Sequence, residues 1–229
     1  MTTCPVCGAA NEELAVVCTS CKGFMRAKVD TLDLFHTMWG LFEAPSATFR
    51  RIALARIKNY TIPLSCCLGI AIAFMLFWNA NLGVVIPQLT TLLGMGILTG
   101  PFLGLAVVTL LALWAKWLLR RMDRKIAFRN AFAVLAYAAV PVVISLVIVF
   151  PLEIAVFGIY FFDKNPPPIV LNPVAFIVLV GIDAIAAAWS VVLSGIGMRA
   201  LAGLSRLRSG ILALSFAAGI GGLFLIPLR

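Results

Sequence analysis

The sequence predicts an all-α membrane protein: about five transmembrane helices in one bundle, preceded by a small four-cysteine zinc ribbon and interfacial amphipathic helices. Three observations carry this. Hydrophobic residues make up 62% of the chain and charged residues only 12%, with a mean hydropathy of +1.08, far outside the globular norm. The polar residues are gathered near the N-terminus and in a few short islands, too few to cover a soluble fold of this size. Two C-x-x-C pairs stand at the N-terminal end. These features divide the chain into a ribbon over residues 1–28, an amphipathic connector over 29–58 and a five-span membrane domain over 59–229.

The head comes first. Residues 1–30 are polar and cysteine-bearing, without the apolar core of a cleavable signal peptide, so the N-terminus is expected to be retained. Cys4-Pro5-Val6-Cys7-Gly8 and Cys18-Thr19-Ser20-Cys21-Lys22-Gly23 are two knuckles, each able to bring a pair of thiolates to one ion, with glycine permitting the tight turn. Four sulfurs, from Cys4, Cys7, Cys18 and Cys21, fill a tetrahedron and leave no open position, which predicts one structural Zn2+ per chain. The competing assignment, disulfides or redox thiols, is disfavoured by a cytoplasmic location and by the lack of a thioredoxin-like pattern. So small a head has too little apolar content to fold alone, which makes metal binding and folding one event. Cys66 and Cys67 fall inside the first span and read as apolar fillers.

In the connector, Leu34, Phe35, Met38, Trp39, Leu41 and Phe42 share one helical face, opposite Asp33, His36, Thr37, Gly40 and Glu43. That pattern predicts a helix lying in the membrane interface. A second short helix is expected from Pro45 or Ser46 through Ile52, with the proline pre-setting φ and the serine able to cap.

Crossing a hydrocarbon core about 30 Å thick takes roughly 20 helical residues. The apolar runs supply five spans, near Tyr60–Trp78, Ile97–Leu119, Ala131–Phe150, Pro173–Leu193 and Ile211–Leu228. Two runs, Leu82–Leu119 and Ile126–Phe162, exceed one crossing; the surplus, Leu82–Gly96 and Leu152–Phe162, is expected along the membrane surface, with Pro87 and Pro151 at the turns and a re-entrant hairpin as the alternative. Pro141 should kink the third span. Gly96, Gly100 and Gly104 recur every four residues and form a helix-packing face on which another helix can approach closely. Asp183 is the one carboxylate near the middle of a span, costing about 2.5 to 3.5 kcal/mol to insert, so it must face protein or water. No second intramembrane acid is expected beside it, since Glu153 reads as lying just beyond the third span.

Sixteen of the 18 lysines and arginines fall in the head, the second connection and the fourth connection, leaving Lys164 and Arg229 for the other side. Loops rich in these residues stay in the cytoplasm. The N-terminus is therefore expected in the cytoplasm and the C-terminus opposite, in a multi-pass protein of a prokaryotic inner or plasma membrane. The net charge of +9 marks topology and attraction to anionic headgroups; no aromatic-interleaved basic surface points to nucleic acid. The single histidine, His36, rules out a Ser-His pair within the spans and an H-E-x-x-H metalloprotease, and Asp183 lacks the partner an aspartyl protease needs.

The membrane part resembles the Yip domain family, named for interaction with Ypt/Rab GTPases. Leu41-Phe42-Glu43-Ala44-Pro45-Ser46-Ala47-Thr48-Phe49-Arg50 is similar to the segment before the first span in prokaryotic members, Asn130 to Pro141 to the tyrosine-to-proline segment of the third span, and Trp189 through Gly197-Met198-Arg199 and Leu204-Ser205-Arg206 to the fourth-span exit. The resemblance implies five spans, a cytoplasmic N-terminus and a non-enzymatic role in membrane organisation; its Rab partner does not transfer. The expected partners are lipid, membrane subunits or a second copy, and a cytoplasmic protein held by the ribbon. A transporter or channel component built around Asp183 is the alternative.

Overall fold

A computed structural model describes residues 2–4, 6–12, 17–23, 31–124, 126–163 and 165–223. Arg26, Lys28, Lys125, Lys164, Arg229 and the last five residues of the expected fifth span lie outside them. Two short strands, β1 (Thr2–Thr3) and β2 (Ala10–Asn11), pair antiparallel with Thr2 opposite Asn11, bracketing the first knuckle. The remaining described elements are helical.

Helix α1 (Leu34–Glu43) starts where Asp33 accepts a hydrogen bond from the His36 backbone N–H at 2.7 Å. Its exposed stripe is Phe35, Trp39 and Phe42, while Leu41 is buried. Thr37, expected on the polar face, is also buried; its hydroxyl donates to the Asp33 carbonyl, which satisfies the one polar atom burial would otherwise strand. Helix α2 (Pro45–Leu54) has proline in its first turn as expected, but no side chain caps it and Ala44 holds the cap position. The two helices touch closely: a Cβ on Gly40 would lie 2.6 Å from Thr48 Oγ1.

Among the described residues, four segments are long and apolar enough to cross a membrane: Thr61–Ala80, Leu89–Arg121, Phe128–Phe162 and Pro173–Ala202. The first is α3 and the second α4. The third consists of α5 (Phe128–Ala138) and α6 (Val140–Phe157) plus a 3-10 turn, Gly158–Phe162. A four-residue helix α7 (Pro168–Leu171) precedes α8 (Pro173–Ala202), and α9 (Arg206–Leu223) carries the described part of the expected fifth span.

Two expectations about the long runs are corrected. The surplus before Gly96 does not lie on a separate surface helix beyond the 3-10 turn Leu82–Val84; residues from Leu89 onward belong to α4, whose 33 residues make it about 50 Å long. Pro151 does not turn the chain either, because α6 continues through it to Phe157. Proline removes one backbone bond and is tolerated where surrounding helix and neighbours resatisfy the carbonyl. The real end is Gly158, at φ +57°, a conformation that glycine adopts without steric cost. Near Pro141 the helix is interrupted, at Ala139, as the sequence implies.

The chain forms two compact units. One comprises Met1–Ile62, Val108–Ala138 and Val191–Phe216; Phe49, Tyr137 and Met198 are fully buried in it. There the Tyr137 hydroxyl donates to the Asn59 carbonyl at 2.6 Å, the Arg129 guanidinium to the Arg56 carbonyl at 2.8 Å, and Gly197 sits where a Cβ would lie 2.5 Å from Val134. The other comprises Pro63–Val107, Ala139–Ser190 and Ala217–Arg229, with a core of Phe74, Leu92, Phe157, Phe161 and Phe162 and a stacked Phe74–Phe150 pair at 4.3 Å.

Candidate functional site

The four knuckle cysteines converge. All their Sγ atoms lie within 4.8 Å of one another, with Cys4–Cys21 and Cys7–Cys18 both at 3.7 Å. A disulfide needs about 2.05 Å, so these are separate thiols. A zinc tetrahedron with Zn–S bonds of about 2.3 Å has sulfur–sulfur edges of about 3.8 Å. The donor set therefore fits a four-coordinate soft metal.

The two knuckles are built alike. In the first, Cys4 N–H donates to the Ala9 carbonyl at 2.8 Å and Gly8 N–H to the Cys4 carbonyl at 2.9 Å; in the second, Cys18 N–H reaches Gly23 at 2.8 Å and Lys22 N–H reaches Cys18 at 3.0 Å. The left-handed position is Gly8 in one, at φ +75°, and Lys22 in the other, at φ +58°. The turn glycine expected at the second knuckle is thus one residue out of place. Gly23 stands instead beside sulfur, where a Cβ would lie 3.3 Å from Cys21 Sγ.

Electrostatics separate the thiols. Burial pushes Cys7 up and Cys21 up to about 12, whereas the backbone N–H of Cys21 above all, with those of Ser20 and the Asn11 amide, holds Cys18 down to about 6. Asn11 Nδ2 donates to Cys18 Sγ at 3.3 Å, and Asn11 Oδ1 accepts from Thr19 N–H at 2.9 Å, so this one side chain orients a sulfur and braces its knuckle. Sequence reading missed Asn11. Its position in the hairpin strand, seven residues before Cys18, was the available signal. Cys4, Val6 and Cys18 also pack with Leu54 of α2.

Gly96, Gly100 and Gly104 face α3. A Cβ on Gly100 would lie 2.5 Å from Ile70 Cα, and one on Gly104 would collide with the Ser65 carbonyl and lie 2.7 Å from Gly69 N; at Gly96 the obstacle is the Phe74 ring. Gly69, which sequence reading passed over, supplies the facing gap. The glycine face is filled by a helix of the same chain.

Asp183 of α8 accepts a hydrogen bond from Ser145 Oγ of α6 and has Glu153 as its neighbour. The expectation that no second acid accompanies it is overturned: Glu153 lies within α6 and is 1% exposed. Sequence reading lost it by ending the span at Pro151. The apolar run Ile154–Phe157 just beyond was the signal that the helix continues.

A family model for the Yip1 domain matches residues 39–228. The chain belongs to the Yip1 domain family. The segments 41–50, 130–141 and 189–206, on which the resemblance rested, all lie inside the match. Among curated proteins and solved structures nothing matches the chain. The Yip1 domain begins after the cysteine cluster, so that cluster is an addition to the matched region, while the glycine face and the Ser145–Glu153–Asp183 group belong to it.

Proposed function

We propose that this Yip1-domain protein is a non-enzymatic membrane scaffold: a five-span bundle with its N-terminus in the cytoplasm and its C-terminus opposite, carrying a zinc ribbon that holds a cytoplasmic protein. The observation that carries the reading is the pairing of a family membrane domain with a four-sulfur cluster whose spacing suits a closed, structural metal site. A coordinatively saturated zinc stabilises a recognition surface and offers no position for substrate. The exposed apolar residues along α8, among them Val174, Ile177, Val178 and Ile185, support contact with lipid or a membrane subunit. The Phe35, Trp39 and Phe42 stripe supports anchoring of the connector at the interface.

Cys4→Ser with Cys7→Ser in the full-length protein tests this. Elemental analysis should find one zinc per parent chain and less than about a tenth of that in the variant. Crosslinking in native membranes followed by mass spectrometry should show cytoplasmic partners lost from the variant and membrane partners kept. Metal-free parent protein would remove the ribbon, and an unchanged partner set would remove the adaptor role.

A second reading, a solute pathway, is favoured by the buried Glu153 beside Asp183. Flux in proteoliposomes that Glu153→Gln abolishes would establish it.

A further inference from the structure

Within the second unit, α3, α6 and α8, with Phe161 of the 3-10 turn, line a half-open cavity of about 190 Å³. Its wall is largely apolar, with Phe74, Trp78 and Phe150 contributing aromatic surface; Ser145, Glu153 and Asp183 bring oxygen atoms to it and the Trp78 indole an N–H. Ser145 and Asp183 are engaged with each other. Glu153 is 1% exposed, yet its Oε1 has no hydrogen-bond partner among the described residues. A buried carboxyl oxygen without a donor is costly, and here it borders open space.

The chemistry of the wall selects the occupant. Ca2+ takes six to eight oxygen ligands and Mg2+ six, so two carboxylates and one committed hydroxyl would hold either only with several added waters, in a wall that is otherwise apolar. The space is larger than a bare ion needs and below the roughly 300 to 1,000 Å³ of pockets that take drug-sized ligands. An ammonium group carries three N–H donors, enough for Glu153 Oε1 and the Asp183 carboxylate, and the aromatic faces favour a cation with an apolar body. The geometry points to a binding site for a small protonated organic amine, its ammonium against Glu153 and Asp183 and its apolar part against Phe74 and Phe150. This site stands apart from the adaptor role and from whether the ligand crosses the membrane, since the test reads binding alone.

The probes are benzylammonium and its neutral counterpart benzyl alcohol, titrated by calorimetry into the purified full-length protein in detergent. Benzylammonium should bind saturably and at least tenfold more tightly than benzyl alcohol, and Glu153→Gln should weaken it at least tenfold. On the unmodified chain, dicyclohexylcarbodiimide, an apolar carboxyl reagent, should form an adduct at Glu153 that saturating benzylammonium slows at least fivefold, read by peptide mass spectrometry. This second arm decides the matter if Glu153→Gln does not fold. Equal affinity for the alcohol would reduce the site to an apolar void, and unchanged binding in the variant or unprotected labelling would overturn the proposal. Protection by Na+ or K+ but not by benzylammonium would replace it with an inorganic cation site.

Discussion

Lys58 shows how one side chain closes a helix. Its ammonium donates to the carbonyls of Ile52 at 2.6 Å, Ala53 at 3.0 Å and Ala55 at 3.3 Å, which α2 leaves without intrahelical partners. Burial, helped by the nearby Arg129 charge, nevertheless lowers its pKa from 10.5 to about 8. Between those two values the unfolded chain holds more protons than the folded one, so this group's contribution to stability rises with pH across that window and is lost as pH falls through 8. Lys58→Met should remove the rise. Melting temperatures in detergent at pH 7, 8, 9 and 10 should therefore show the parent gaining on the variant above pH 8, and a gap independent of pH would sink the burial account. Nothing in the sequence announced this: Lys58 reads as one more basic residue before a span, and only the fold shows which carbonyls lie within its reach. Asn11 escaped in the same way, since its partners Cys18 and Thr19 meet it only once the hairpin folds, whereas Glu153 meets Asp183 thirty residues on and is hidden by a helix that runs past Pro151. The cysteines were legible because C-x-x-C is local and its spacing alone brings two sulfurs together.

At the scale of elements, periodicity located the helices well and proline misled. Asp33, Pro45 and the Ala139 interruption near Pro141 fall where capping and proline chemistry place them, whereas Pro87 and Pro151 were both read as turns from spanning to surface helix. The chain does break around Pro87, between the 3-10 turn and α4, but α6 passes through Pro151 because lipid offers an unbonded carbonyl nothing better than a helix. The glycine face was legible as a face; its partner was not, because Gly69 is a single glycine with no period of its own. The contact of α3 with α4 makes a definite demand. Gly104→Leu would force a side chain into the Ser65 and Gly69 backbone, and since backbone cannot rotate away, the helices must separate, costing about 3 kcal/mol, the upper end of usual overpacking penalties. Gly94 and Gly181 have open space where a Cβ would stand, so Gly94→Ala and Gly181→Ala should leave the melting temperature nearly unchanged. Equal effects at all three positions would show that glycine itself, rather than this helix contact, sets stability.

For the whole molecule, membership of the Yip1 domain family and, among the described residues, four long apolar segments agree on an integral membrane protein, and the proposed direction of insertion rests on charge. The basic residues flank alternate ends of the helices: Arg120 and Arg121 close α4, where the Arg121 guanidinium lies 4.9 Å from the Trp117 ring, and Arg199 lies in the last turn of α8. Tryptophan and arginine together are the side chains that settle at a headgroup boundary. At 33 and 30 residues these two helices are longer than a core about 30 Å thick requires, so in a crossing at the usual tilts their basic ends would have the length to reach the headgroup layer. The parity of crossings then rests on α9. It opens with Arg206 and Arg208, and its apolar part continues through Leu223, so a fifth crossing would carry the C-terminus to the side opposite the ribbon. With four, both termini would lie on the same side. In sealed right-side-out vesicles, an impermeant maleimide should label a cysteine replacing Lys164 and a cysteine added after Arg229, and should spare one replacing Arg124. Labelling at Lys164 without labelling at the C-terminus would reduce the count to four, with α9 lying along the membrane surface. Labelling at Arg124 but not Lys164 would invert the whole arrangement, placing the four-cysteine head in an oxidising compartment where thiols favour disulfides over zinc. The topology experiment thereby also tests the chemistry assigned to the ribbon.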